Sequence, residues 1–221
     1  MCGRFSLASE IDEIMQQFTI IDEPFDDVLK PRYNIAPSQL SPVVVNEDGK
    51  NKLKMFKWGL VPPWSKDTRI GFRMINARAE TVEEKPSFKK PFKSQRCLVI
   101  ADGFYEWKKQ NNKKQPYRFV TSDGKPFAMA GLWEAWKKEA EPLYTFTIIT
   151  TDNNELMEPV HDRMPVILPR TNQEIWMNLE SNEAELKELL VPYDSNKMEY
   201  YRVSDIVNSW KNDVPECIMR I

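Results

Sequence analysis

A chain of 221 residues, 41% hydrophobic and 29% charged, has enough apolar material for a substantial core and is neither disordered nor fibrous in composition. No apolar run reaches the length a bilayer demands, and the first residues lack a signal-peptide core, so an intracellular protein is expected. Three cysteines (Cys2, Cys97 and Cys217), odd in number and without ligand spacing, argue against a disulfide framework or a zinc site; Cys97 and Cys217 read as inert, buried small hydrophobes. The net charge of −2 conceals an asymmetry, since 19 Lys/Arg face only 7 Asp/Glu between Lys50 and Lys125. That basic stretch is interleaved with Phe56, Trp58, Trp64, Phe72 and Trp107, a pattern that suits single-stranded nucleic acid: cations track phosphate and rings stack on bases. A solvated basic face over core aromatics is the plainer alternative.

In chain order, Met1-Cys2-Gly3-Arg4-Phe5 comes first. Once Met1 is removed, Cys2 carries an α-amine and a thiol on adjacent carbons. An α-amine ordinarily titrates at about 7.7–8.0, against about 10.4 for lysine, so at pH 7 far more of it is neutral and nucleophilic. Such an amine condenses with an aldehyde to a Schiff base, which the thiol can close to a thiazolidine. The same residue could instead be an N-terminal nucleophile for amide cleavage, or simply a second residue without a role. Ser9 with Asp12, followed by Ile11, Ile14, Met15 and Phe18, predicts a capped amphipathic helix over 10–18. Val43 to Trp58, around Asn46-Glu47-Asp48-Gly49-Lys50, reads as a hairpin. Trp64, in Pro62-Pro63-Trp64-Ser65, is a ring on a stiff loop, either core or a wedge for a base. Residues 76–84 look helical until Pro86; there Asn76 is a candidate cap, and Arg78 could hold phosphate at the helix start.

Strands are then expected at 97–101, 103–108, 116–121, 127–132 and 143–151, separated by Asp-Gly or Lys/Asn-rich turns, with helices at 172–179 and 182–190 and a strand near 199–203. Glu106 sits between Tyr105 and Trp107 on one of these strands. It is either a surface glutamate or a pocket carboxyl with a raised pKa that relays protons. His161 is the only histidine, in the polar loop Pro159-Val160-His161-Asp162-Arg163-Met164-Pro165. Imidazoles titrate near neutrality, which suits proton transfer, although a lone histidine is often structural. The pattern as a whole predicts an α+β fold, a single domain over residues 1–221. Its core would be an antiparallel or mixed β-sheet, barrel-like, flanked by short helices.

These segments, with Tyr33-Asn34-Ile35-Ala36-Pro37, Trp58-Gly59-Leu60-Val61-Pro62, Asn76-Ala77-Arg78-Ala79-Glu80-Thr81, Gly103-Phe104-Tyr105-Glu106-Trp107, Gly131-Leu132-Trp133-Glu134 and His161-Asp162-Arg163-Met164-Pro165, resemble the SRAP (SOS response-associated peptidase) domain family, whose members shield abasic sites. The likeness runs in family order over about the first 170 residues, and the last fifty carry no signature. It implies a protein that crosslinks covalently to abasic sites in single-stranded DNA, lyase-like in class and DNA-associated in the cell. By analogy Cys2 is the nucleophile, Asn76 positions the terminus and the sugar, Glu106 relays protons, and His161 is acid or base on the sugar oxygen. Arg4 and Arg78 would grip phosphates, and Trp64 would stack on bases. No cofactor, metal or membrane is implied, and a monomer is expected. A cysteine-type peptidase, one that could act only on its own Met1–Cys2 bond, is the alternative; a non-catalytic nucleic-acid-binding module is a third.

Overall fold

The computed structural model describes residues 2–20, 30–110 and 113–221. Met1, whose removal is expected above, and Asn111 and Asn112 lie outside them. In chain order the elements are β1 (Phe5–Leu7), α1 (Ile11–Phe18), β2 (Arg32–Ile35), β3 (Leu40–Glu47), β4 (Lys50–Trp58), β5 (Asn76–Arg78), α2 (Lys89–Ser94), β6 (Arg96–Ala101) and β7 (Gly103–Gln110). There follow β8 (Lys113–Thr121), β9 (Phe127–Trp136), β10 (Leu143–Asp152), β11 (Arg163–Pro165), β12 (Ile167–Leu168), α3 (Arg170–Met177), α4 (Glu183–Glu188) and β13 (Met198–Arg202). Short 3-10 turns lie between them.

Five strands close on themselves. β3 pairs with β4, β4 with β10, β10 with β9, β9 with β6, and β6 returns to β3. The β10–β4 contact is parallel and the others antiparallel, so the expected mixed, barrel-like core is present. The β3–β4 hairpin turns at Asp48 and Gly49, both with positive φ, the backbone that a two-residue hairpin requires. All six residues of β6 are buried, because α2 and α3 cover its outer face. Arg96 makes that burial tenable: its guanidinium donates to the carbonyls of Phe92, Lys93, Trp176 and Asn178, the C-terminal ends of α2 and α3. Desolvation nevertheless lowers its pKa to about 10.

The second sheet runs β13-β8-β7-β1-β2. Its β1–β7 pairing sets Phe5 opposite Phe104 and Ser6 opposite Gly103. Backbone bonds from Tyr105 to the Arg4 carbonyl (2.9 Å) and from Asp102 to the Ser6 carbonyl (2.9 Å) continue the pairing on either side.

Two local expectations fail. Ser9 does not cap α1; Glu10 stands at that position without a side-chain bond, and the Ser9 amide donates to Asp102 instead. Residues 76–84 are not a helix. Asn76–Arg78 is a strand in parallel register with Ile148–Thr150 of β10, followed by a 3-10 turn at Ala79–Thr81. Ala77 is fully buried in that pairing, and tertiary contact overrides the helical propensity of an Ala- and Glu-rich stretch.

Candidate active site

Four distant segments meet near Cys2. β1 brings the chain start along β7, so the register that opposes Phe5 to Phe104 carries residues 2 and 3 toward Glu106. Parallel pairing with β10 presents Asn76, and its Nδ2 donates to the Cys2 carbonyl at 2.9 Å. The other end of that amide, Oδ1, is buried with no partner among the described residues. His161, in the loop before β11, places Nε2 at 3.9 Å from the Glu106 carboxylate. The Arg163 amide donates to His161 Nδ1 (3.0 Å), which fixes the neutral tautomer with its proton on Nε2, facing Glu106. When Nδ1 takes a proton, the exposed Asp162 carboxylate at 2.9 Å is the acceptor in reach.

Burial sets the electrostatics. Glu106 is 4% exposed, and desolvation raises its pKa, with the charge of the N-terminus and then His161 pulling the other way. The Cys2 side chain is fully buried, and its thiol is pushed up to about 12, first by desolvation and then by the charge of Glu106. The resting thiol is therefore neutral. A reaction at sulfur needs a base to take its proton, and a buried carboxyl facing an imidazole is suited to hold one.

Arg163 locks the histidine loop in place. Its guanidinium is bidentate to Glu80 (2.6 and 3.0 Å) and also reaches Asp152 and the Thr150 carbonyl. Because Glu80 follows directly on β5, one ion pair ties the Asn76 segment to the His161 segment. That pair holds the Glu80 carboxyl below its ordinary range.

Arg4 stands next to this corner but is already engaged. Its Nη1 donates to Asn34 Oδ1 (2.7 Å) and the Val207 carbonyl (2.9 Å), and the guanidinium lies 5.9 Å from the centre of the Trp107 ring. Arg78 is exposed at the end of β5, and Trp64 is 57% exposed on its loop. That loop also carries exposed Lys66, Arg69, Phe72 and Arg73, of which the sequence reading singled out only the tryptophan as a site residue. Gly59 and Gly71 let the loop fold back, since a Cβ on Gly59 would stand 2.6 Å from the Gly71 carbonyl oxygen.

Sequence reasoning missed the part the C-terminal residues play. Asn34 Nδ2 donates to the carbonyls of Val207, Ser209 and Asn212, while Asp213 accepts from the Tyr33 and Asn34 amides and from Arg32 Nε. Residues 207–213 thus strap β2 and Arg4, and through them the strand that carries Cys2. No local signal could have revealed bonds between residues 173 to 181 positions apart.

The model of the SOS response associated peptidase (SRAP) family matches residues 1–210. The chain is 52% identical over 221 residues to the abasic site processing protein YoqW of Bacillus subtilis, covering 99% of each. It is 30% identical to the abasic site processing protein HMCES of Xenopus tropicalis, covering all of this chain and 78% of that one. A crystal structure of a Bacteroides thetaiotaomicron protein, 30% identical, superimposes with a TM-score of 0.90 over the whole of both chains. With the motif segments assembled in space as well as in order, this chain belongs to the SRAP family.

Proposed function

We propose that this protein processes abasic sites in single-stranded DNA by attaching to them through Cys2. Removal of Met1 frees the Cys2 amine, which attacks the C1′ aldehyde of the ring-opened deoxyribose. Loss of water gives an imine, the thiol sulfur adds to the imine carbon, and the sulfur's proton is passed on while nitrogen gains one. The net change is aldehyde plus aminothiol to thiazolidine plus water. Closing the ring removes the imine, so β-elimination is avoided and the strand stays intact. Glu106 accepts protons from the amine and the thiol, and His161 is acid or base at the sugar O4′ as the ring opens. Asn76 holds the terminus through the Cys2 carbonyl and has Oδ1 left to accept from the sugar. Arg78 and Trp64 hold phosphate and base beside the lesion, and Arg4 faces phosphate with the part of its guanidinium that Asn34 and Val207 leave free.

The observation that carries this reading is the gathering of a thiol, an amide, a carboxyl and an imidazole from four separate segments beside Cys2. The names of the relatives support it. Incubating the protein with a single-stranded oligonucleotide that contains one abasic site should give a heat-stable shifted band on a denaturing gel. Cys2→Ala should abolish that band; an adduct of equal yield from Cys2→Ala would remove the thiazolidine. A second reading, self-cleavage of the Met1–Cys2 bond, is favoured by the peptidase in the family's description and is compatible with the first. It predicts that the Glu106→Ala chain, purified without aminopeptidase, keeps Met1 by intact mass.

A further inference from the structure

Beyond the active site, β7 and β8 run on past their neighbours. The register with β1 reaches Phe104, and that with β13 reaches Tyr117. From Lys108 to Gln110 and from Lys113 to Gln115 the two strands pair only with each other among the described residues. The resulting two-stranded ribbon carries Lys108, Lys109, Lys113 and Lys114. Lys109 stands directly opposite Lys114, where cross-strand Cβ atoms are about 5 Å apart and like charges destabilise the pair. The protein does not relieve that repulsion. Both side chains are exposed, and none of the four lysines forms an ion pair with a described residue.

The period of the strand ties this rung to the site. Trp107 and Lys109 lie on one face of the ribbon, about 7 Å apart along β7, with Pro116 and Lys114 across from them. Arg4, two residues from Cys2, lies over the Trp107 ring at 5.9 Å, and Trp107 Nε1 donates to the exposed Asn208 (2.6 Å). A line of positive charge thus leads from the chain start, over an indole, to two lysines that repel each other. Lys108 adds a further charge on the opposite face, the one that carries Glu106.

We propose that the lysine end of the β7–β8 ribbon holds the phosphodiester backbone of the bound single strand on one flank of the abasic site, beyond Arg4. A phosphate set between Lys109 and Lys114 turns their repulsion into attraction to a shared anion. Ammonium groups act as point charges, so this contact positions the strand without reading its bases. The inference rests on the single-stranded DNA reading for its ligand, and its test is separable from that reading.

The ligand is a single-stranded oligonucleotide with a central tetrahydrofuran, an abasic analogue that has no aldehyde to react, and binding to the full-length protein is followed by anisotropy. The double variant Lys109→Gln/Lys114→Gln should lower the slope of log affinity against log salt by about 1.4, two single-strand contacts, and weaken binding about 25-fold at about 0.1 M salt if the lines meet at about 1 M. Strands that end just 5′ or just 3′ of the analogue locate the contact: the difference should persist with one half and vanish with the other. Lys114→Glu sets opposite charges on the rung, so it should weaken binding while Tm stays level or rises. A slope that the double variant leaves unaltered, as an acidic protein partner for these lysines would give, overturns the proposal. So does an equal effect on both half-strands, or a fall in Tm that accounts for the weaker binding. A wild-type protein that forms no adduct with a true abasic site, yet shows the one-sided salt effect, would sink the functional reading and leave the ribbon contact standing.

Discussion

Two carboxylates four residues apart, Asp102 just before β7 and Glu106 within it, have side chains 9% and 5% exposed but opposite surroundings. Asp102 is saturated: it accepts from the Ser6 hydroxyl, from the amides of Ala8 and Ser9, and from Arg118 at 2.8 Å. Arg118 is equally spoken for, by Ser6, by Tyr201 and by the Asp102 carbonyl, and Gly103 leaves the room its guanidinium fills, since a Cβ there would stand 2.5 Å from Nε. Glu106 faces His161 instead, a cation only when protonated, and its pKa is raised. Burial is common to both carboxylates. The neighbours differ: a permanent guanidinium bonds Asp102, whereas an imidazole stands near Glu106.

The largest effect should come from the locked pair. Arg118→Ala leaves a carboxylate buried among neutral groups and should destabilise the protein by about 3–5 kcal/mol, read from denaturant unfolding. A loss below about 1 kcal/mol, the range of an exposed pair, would show that the Arg118–Asp102 contact behaves as a surface one.

Glu106→Gln should do the reverse at high pH. Because burial raises the folded pKa, the unfolded chain releases its proton first as pH rises, and ionising Glu106 then works against the folded state. The variant should gain stability relative to wild type above the ordinary glutamate pKa of about 4.3 and lose that advantage below it, as seen in Tm against pH. Adduct formation should fall about 100-fold, the scale of a lost proton-transfer group. A variant destabilised equally at pH 4 and pH 8 would mean that Glu106 serves as a hydrogen-bond acceptor and not as a titrating group.

Between these extremes lies the C-terminal strap. Asp213→Ala orphans the Tyr33 and Asn34 amides and should lower stability by about 1–3 kcal/mol. Since Asn34 also holds Arg4, adduct formation should slow more than folding alone explains, when rates are compared per folded molecule. Unchanged rates would show that the strap supports β2 and not the chain start.

How much of this was legible depended on the range of the interactions. The β3–β4 hairpin was readable because alternation and an Asp-Gly turn are local signals. β1, β2 and β5, at three or four residues each, are too short for any period to show. The helix expected at 76–84 failed because Ala77 is placed by β10, which lies seventy residues away in sequence. Residue chemistry alone left Glu106 and His161 each open to a structural reading. Their order in the family motifs selected them, and only the folded chain brought them to within 3.9 Å. Arg4 was legible as a cation but not as a clasp, because its partners Asn34 and Val207 are 30 and 203 residues away.

The smallest effect concerns the surface. Arg78 is exposed and makes no ion pair with a described residue, whereas Arg4 shares a nitrogen between two protein acceptors. A guanidinium in water that grips a phosphate contributes counterion release. Arg78→Ala should therefore reduce the slope of log affinity against log salt by about 0.7 for a single strand, with little change in stability. Arg4→Ala should lower stability as well, since Asn34 Oδ1 loses its donor. Anisotropy titrations of a non-reactive oligonucleotide at several salt concentrations separate the two. A salt slope unaltered by Arg78→Ala would place the strand elsewhere on the basic face, and a stability loss equal to that of Arg4→Ala would mean that Arg78 is held by the protein after all.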